Sequence, residues 1–165
     1  MNGNSGTSDL HVRRYRAGEE AVLRELFYNT IRTVNLRDYS PEQVRAWAPG
    51  EMDPDRWRAR IVAMNPFVCV SQDQIAGYAG LLLTGHVDHF FVHRDKQRCG
   101  VGRMLMQAII DEATRLSLSE LTSDVSITAR PFFEAHGFRV EQQQSVSLGA
   151  VNLTNFRMKR NLHSV

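Results

Sequence analysis

The chain has 165 residues, 42% of them hydrophobic and 23% charged, with a formal net charge of +2 at pH 7. A chain of this length buries roughly two-thirds of its unfolded surface, so one compact domain is expected, and the composition excludes disorder, collagen-like repeats and low-complexity scaffolds. Acidic residues are interspersed among the arginines, which points away from a nucleic-acid partner, and no apolar run approaches the roughly 20 residues that cross a membrane.

The opening "MNGNSGTSDL" lacks the basic start and apolar core of a signal peptide, and residues 1–9 read as a flexible start to a domain over 10–162. Two cysteines, Cys69 and Cys99, give no disulfide framework and no CxxC or Cys/His cluster, so a reducing, cytoplasmic location without a bound metal is expected. "LHVRRYR" alternates as an edge strand. "AGEEAVLRELFYNTIRTV" then places Val22, Leu23, Leu26, Phe27, Ile31 and Val34 at helical spacing. Ser40 followed by Pro41, and Asp53 followed by Pro54, open two short helices in the pattern of a capping residue and a first-turn proline.

The texture then changes to strands. "PFVCV" and "IAGYAGLLLT" flank the polar turn "SQDQ" as a hairpin, and "HVDHFFVH" follows Gly85 as a third consecutive strand. From Val101 the apolar positions Met104, Leu105, Ala108 and Ile109 mark a helix with one buried face. "ELTSDVS" reads as a strand, "ARPFFEAHG" as a short helix closed by Gly137, and the remainder as two strands around "GA". The order β-α-α-α-β-β-β-α-β-α-β-β implies an α/β fold: a mixed, mostly antiparallel sheet of seven strands with helices on both faces.

The junction "QRCGVGR", Gln97 to Arg103, lies where the third consecutive strand gives way to the long helix. A helix start leaves about four N–H groups without partners and carries a partial positive charge, so it suits a phosphate or pyrophosphate. Gly100 and Gly102 remove Cβ atoms that would block an anion's approach, and Arg98 and Arg103 add charge-assisted hydrogen bonds. No Lys-Ser/Thr pair follows Gly102, which excludes a Walker A loop, and Leu105 stands where a dinucleotide fingerprint needs glycine or alanine. A plain glycine turn before a core helix remains an equal alternative on this motif alone.

Three stretches in order, "FFVHRDKQRCGVGRMLMQAIIDEA", a preceding three-strand meander and "ARPFFEAHGF", resemble the GCN5-related N-acetyltransferase family, in an uncharacterised bacterial branch. Its signature of Gln or Arg, two residues and GxG is matched by Gln97, Gly100 and Gly102. The resemblance implies that the fourth and fifth strands run parallel and splay apart, with acetyl-CoA as cosubstrate between them and no metal. It implies main-chain contacts to pantetheine from Phe91, Val92 and His93, and to the pyrophosphate from Gln97, Arg98, Cys99, Gly100, Val101, Gly102 and Arg103.

An amine must lose a proton to attack a thioester. His86 occupies the place of a basic Glu in some relatives, and Asp88, two residues on and so on the same strand face, is a candidate to orient it. His86 at the end of a turn is an equally ordinary structural position. Where many relatives carry a proton-donating Tyr this chain has Phe133, which leaves Ser126 and Thr128 as the nearest polar candidates and Phe133 itself as a packing or pantetheine contact. Tyr28 and Tyr39 are expected on the acceptor side. The acceptor is a small-molecule amine or a peptide, and a homodimer is consistent with the family. The alternative function is an acyl-CoA-binding sensor that has lost its chemistry.

Overall fold

A computed structural model describes residues 9–163; apart from Asp9, the stretch expected to be a flexible start lies outside the described residues. The chain runs β1 (Leu10–Arg14), α1 (Glu20–Thr33), α2 (Pro41–Trp47), α3 (Pro54–Met64), β2 (Phe67–Ser71), β3 (Gln74–Leu81), β4 (His86–Val92), α4 (Val101–Arg115), β5 (Glu120–Ser126), α5 (Arg130–Ala135), β6 (Arg139–Leu148) and β7 (Val151–Asn161). Short 3₁₀ turns at Asn35–Arg37 and Arg94–Lys96 are additional to the elements expected from the sequence.

Local chemistry explains where the helices begin. The Ser40 hydroxyl accepts the Gln43 N–H while the Gln43 side chain accepts the Ser40 N–H, and Asp53 Oδ1 accepts the Asp55 N–H at the start of α3. Gly100 has φ +90°, a left-handed conformation that a Cβ would strain, so the chain turns sharply into α4.

The seven strands form one sheet in the order β1-β2-β3-β4-β5-β7-β6, antiparallel throughout except where β4 meets β5. One face packs against α4 through Val101, Leu105, Met106 and Ile109, together with Leu121, Phe133 and Met158. The opposite face packs against α1, α2 and α3 through Leu23, Phe27, Ile31, Val44, Trp57 and Ile61. Gly77 lets α4 settle on the sheet, since a Cβ there would stand 2.8 Å from Val101 Cγ1 and 2.9 Å from the Phe91 carbonyl oxygen.

Two features open the sheet at its centre. The parallel ladder consists of His86 against Thr122 and Val87 against Ser123. The ladder is two pairs long; it begins with the Thr122 N–H on the Gly85 carbonyl, and at its far end the Ser123 hydroxyl also donates to the Val87 carbonyl at 2.9 Å. The second feature is a bulge in β4, where Leu81 pairs with Val87 but Ala79 pairs with Phe90. Val87 and Phe90 therefore both pack on the α4 side, while Asp88 reaches Arg60 of α3 and His89 lies among Phe27 and Trp57.

Candidate active site

Beyond Val87 and Ser123 the two strands diverge, and two cavities meet across the gap. Phe90, Phe91, Ser126, Ala129 and Phe133 line both. The first, of about 540 Å³, lies at the glycine turn; the second, of about 850 Å³, lies under α3 and the β6–β7 hairpin.

The turn cavity is built from main chain and arginine. The His93 N–H donates to the Ala76 carbonyl, and the two-residue alternation of an antiparallel pair then turns the peptide groups of Phe91 toward β3 as well. Phe90 and Val92 are the residues whose peptide groups face the gap. This corrects the expectation for Phe91 and His93: Phe91 contributes its ring to both cavities, and the His93 ring accepts the Asp95 N–H. The Val92 carbonyl is taken by Thr30 Oγ1 at 3.0 Å and Gln97 Nε2 at 2.8 Å, which leaves the Val92 N–H for the gap. Gln97 thus fastens the turn to β4.

In the first turn of α4, the Gly100 carbonyl accepts the Met104 N–H, so the N–H groups of Val101, Gly102 and Arg103 have no acceptor within the helix. Val101 and Cys99 take part through backbone alone. The Val101 side chain is core, and Cys99 is exposed, its thiol directed at the Gln97 carbonyl. Gly102 makes room chiefly for Phe132, whose ring would stand 3.0 Å from a Cβ at that position. Arg98 and Arg103 line the cavity, joined by Arg37 from the 3₁₀ turn after α1, and none of the three forms an ion pair among the described residues. Arg37 was not legible in the sequence, because only the fold brings residue 37 to residue 98.

Phe133 is buried and forms part of the wall between the cavities, edge-on to Phe90 and Phe132. Two hydroxyls stand near it. Ser126 Oγ accepts the Ala129 N–H and still has its own proton to donate. Thr128 lines the turn cavity, and its Oγ1 is buried and has no hydrogen-bond partner.

The larger cavity is aromatic and acidic. Phe27, Tyr39, Trp47, Trp57, His89 and Phe91 form its inner wall. Tyr39 Oη donates to the Thr154 carbonyl and accepts the Ile127 N–H, so it joins β7 to the end of β5. His89 is buried, stacks on Phe27 and pairs through Nδ1 with the Tyr78 hydroxyl at 2.9 Å. Burial, reinforced by the positive charge of Arg60, lowers its pKa to about 4, so the ring is neutral near pH 7. Tyr28 lines neither cavity; its ring lies beneath the guanidinium groups of Arg24 and Arg32, which corrects its assignment to the acceptor side.

His86 and Asp88 do not meet as expected. His86 Nδ1 is 3.0 Å from Thr122 Oγ1 and its Nε2 is 3.8 Å from Asp124 Oδ2, whereas Asp88 meets Arg60 at 3.3 Å. His86 lies outside the cavity lining, and Asp88 and Asp124 are in it. The register that pairs residue 86 with 122 and 87 with 123 sets Asp124 opposite Asp88 at the first level where the strands have parted. Asp124 is the residue sequence reasoning missed; its place in "ELTSDVS" became meaningful only once β5 was registered against β4.

Comparison with known proteins accounts for this gap. The family model for the acetyltransferase (GNAT) domain matches residues 35–160. The chain belongs to the GNAT acetyltransferase family. An uncharacterized N-acetyltransferase, YafP of Escherichia coli (strain K12), is 32% identical over 152 residues, covering 92% of this chain and 96% of that protein. A GCN5-related N-acetyltransferase from Rhodopseudomonas palustris, also described as an aminotransferase of class II, aligns with a TM-score of 0.88 at 30% identity over 92% of this chain and 94% of its own. PaiA N-acetyltransferase from Thermoplasma acidophilum, solved in complex with coenzyme A, shares the fold with a TM-score of 0.75 at 13% identity, covering 92% of this chain and 98% of that one. The parted parallel strands and the helix after the glycine turn are thus features of a GNAT fold, and the chain is an acetyltransferase by family.

Proposed function

We propose that this GNAT protein is an acetyl-CoA-dependent N-acetyltransferase, with residues 10–162 as its catalytic domain, acting on a primary amine of a small molecule or peptide in a ternary complex. The observation that carries the reading is the meeting of the two cavities at the parted ends of β4 and β5, with donor chemistry on one side and acceptor chemistry on the other.

The residues of the turn cavity fit the donor. The α4 N–H groups, Arg98, Arg103 and Arg37 suit the phosphates, and the main-chain edge of Phe90 and Val92 suits the amide-bearing arm. An N–H of that edge directed at the acetyl carbonyl stabilises the oxyanion that develops there. The amine nitrogen forms a bond to the carbonyl carbon as the carbon–sulfur bond breaks. The nitrogen's proton goes to Asp124, which faces the cavity, with His86 behind it to share the charge. Arg157 Nε and Gln144 Nε2 occupy Asp124 Oδ1 at 2.9 and 3.0 Å, leaving Oδ2 for this exchange. On the other side of Phe133, Thr128 and Ser126 hold the hydroxyl hydrogens that can stabilise the departing sulfur.

The replacement of a hydroxyl by the Phe133 ring also favours a second reading, an acyl-CoA-binding sensor without turnover. Release of free thiol from acetyl-CoA, measured with and without a panel of amines and peptides, separates the two. Amine-dependent thiol release is expected. Micromolar CoA binding with no release on any acceptor would establish the sensor, and absence of CoA binding would overturn both.

A further inference from the structure

The cavity under α3 narrows the acceptor class, and this step rests on the reading of that cavity as the amine side. We propose that the acceptor is a small primary amine carrying an aromatic or branched apolar group. Its ammonium lies between Asp88 and Asp124, and its apolar group lies against the Trp47, Trp57 and Phe91 wall.

The charge is placed where the chemistry needs it. Asp88 and Asp124 project from the two strands at the level where the gap begins, and each holds an arginine on Oδ1: Arg60, which also lines the cavity, and Arg157, which does not. The Oδ2 atoms of both carboxylates receive no hydrogen bond from the described residues. An amine arriving as an ammonium meets these oxygens before losing its proton. His89, the imidazole in the cavity lining, is buried to 5% exposure and neutral near pH 7, so it contributes a polar wall without a positive charge, while His86, 3.8 Å from Asp124 Oδ2, lies outside the lining.

The wall behind is apolar and rigid. Phe27 packs against Trp57 at 5.2 Å and Phe91 at 5.1 Å, and Trp47 stands edge-on to Tyr39 at 5.6 Å. Met52 and the hairpin side chains Val146, Leu148 and Leu153 line other parts of the cavity. A volume of about 850 Å³ admits a phenylalkyl group with its amine. A linear polyamine presents no apolar group to this wall, and its further charges meet Glu51 and Asp53 in a lining that also holds Arg56 and Arg60. Aromatic faces beside an ammonium add a favourable cation–π contribution that an open acidic groove lacks.

The protein contains two tryptophans, and both line this cavity, so intrinsic fluorescence reports occupancy without any turnover. Phenethylamine, isoamylamine, ethylamine and spermidine are titrated into the full chain, and the same amines are assayed with acetyl-CoA. Phenethylamine and isoamylamine are expected to saturate the signal at concentrations about tenfold below ethylamine and spermidine, in line with burial of a few methylene or ring carbons. Asp88→Asn should weaken phenethylamine about fivefold, consistent with an exposed charge pair, and leave uncharged phenethyl alcohol unaffected. Trp47→Leu should weaken phenethylamine about tenfold and ethylamine by less than twofold. Tighter binding of spermidine, equal binding of ethylamine, or no fluorescence response to any amine overturns the assignment. Tight phenethylamine binding without acetyl transfer would leave the acceptor class standing and remove the transferase reading. Turnover confined to spermidine would do the reverse.

Discussion

The turn cavity and the aromatic cavity lie on either side of Phe133 and are built by opposite means. On the turn side the main chain between Val92 and Arg103 supplies N–H groups without an acceptor in the strand or helix, and Arg37, Arg98 and Arg103 form no ion pair among the described residues. On the aromatic side the groups are side chains from α1, α2, α3, β4, β5 and the β6–β7 hairpin, and the charged ones at the gap are already paired with arginine. A site for an invariant donor can be written in one local stretch of backbone geometry. A site for a particular acceptor has to be assembled from distant side chains, and so can be changed one residue at a time.

If that division is right, each side can be damaged without the other. The largest effect is expected from Arg98→Ala with Arg103→Ala, which removes two charge-assisted contacts and should lower CoA affinity by about a hundredfold or more in calorimetry. Phenethylamine binding by fluorescence should remain unchanged, and a parallel loss would show that the two cavities are not independent. Asp124→Asn should act in the opposite sense. The rate at pH 7 is expected to fall by about a hundredfold with CoA affinity intact, and the deficit should shrink toward pH 10, where free amine is abundant. A deficit that is the same at all pH values would assign Asp124 a structural role.

The aromatic side also carries a pH signature of its own. Because the folded pKa of His89 is depressed from 6.5 to about 4, the unfolded state binds more protons between those values. Stability is therefore fully present above about pH 6.5 and is lost as pH falls toward 4, by roughly 3 kcal/mol for this group. Urea unfolding at pH 7 and pH 4.5 should show this loss in the wild type. In His89→Gln, which retains a polar partner for Tyr78, most of the difference should vanish, and an unchanged difference would place its origin in other groups.

A smaller and sharper effect belongs to the wall between the cavities. Thr128 Oγ1 is buried without a partner, so Thr128→Val removes an unsatisfied hydroxyl at almost constant volume and should stabilise the free protein by about 1 kcal/mol in thermal unfolding. If that hydroxyl serves the departing sulfur, the same variant should lose about tenfold in kcat with little change in KM. Stabilisation without a loss of rate would leave Ser126 as the group that serves the sulfur.

Most of the secondary structure was legible because it is punctuated locally. Ser40-Pro41, Asp53-Pro54, Gly100 and Gly137 mark helix ends by capping chemistry or by positive φ, which depend on neighbours within a few residues. The glycine turn was legible for the same reason, and its family resemblance pointed to the fold. Tyr28, by contrast, carries the right chemistry at a helical position that faces two arginines instead of the cavity. The expected pairing of His86 with Asp88 followed from strand alternation, and the register of β5 instead brought Asp124 to His86 and α3 brought Arg60 to Asp88.

By itself the sequence determined the helix starts, the alternation of the strands and the backbone character of the turn at Gln97 to Arg103, since each depends on short-range sterics and hydrogen bonding. Only the tertiary structure decided which carboxylates face the gap, that Phe90 and Val92 present its main-chain edge, and that Arg37 joins Arg98 and Arg103. Those outcomes depend on the register of β5 against β4, on one bulge of β4 against β3 and on the placement of α1 and α3, none of which is set by the few residues on either side of the position concerned.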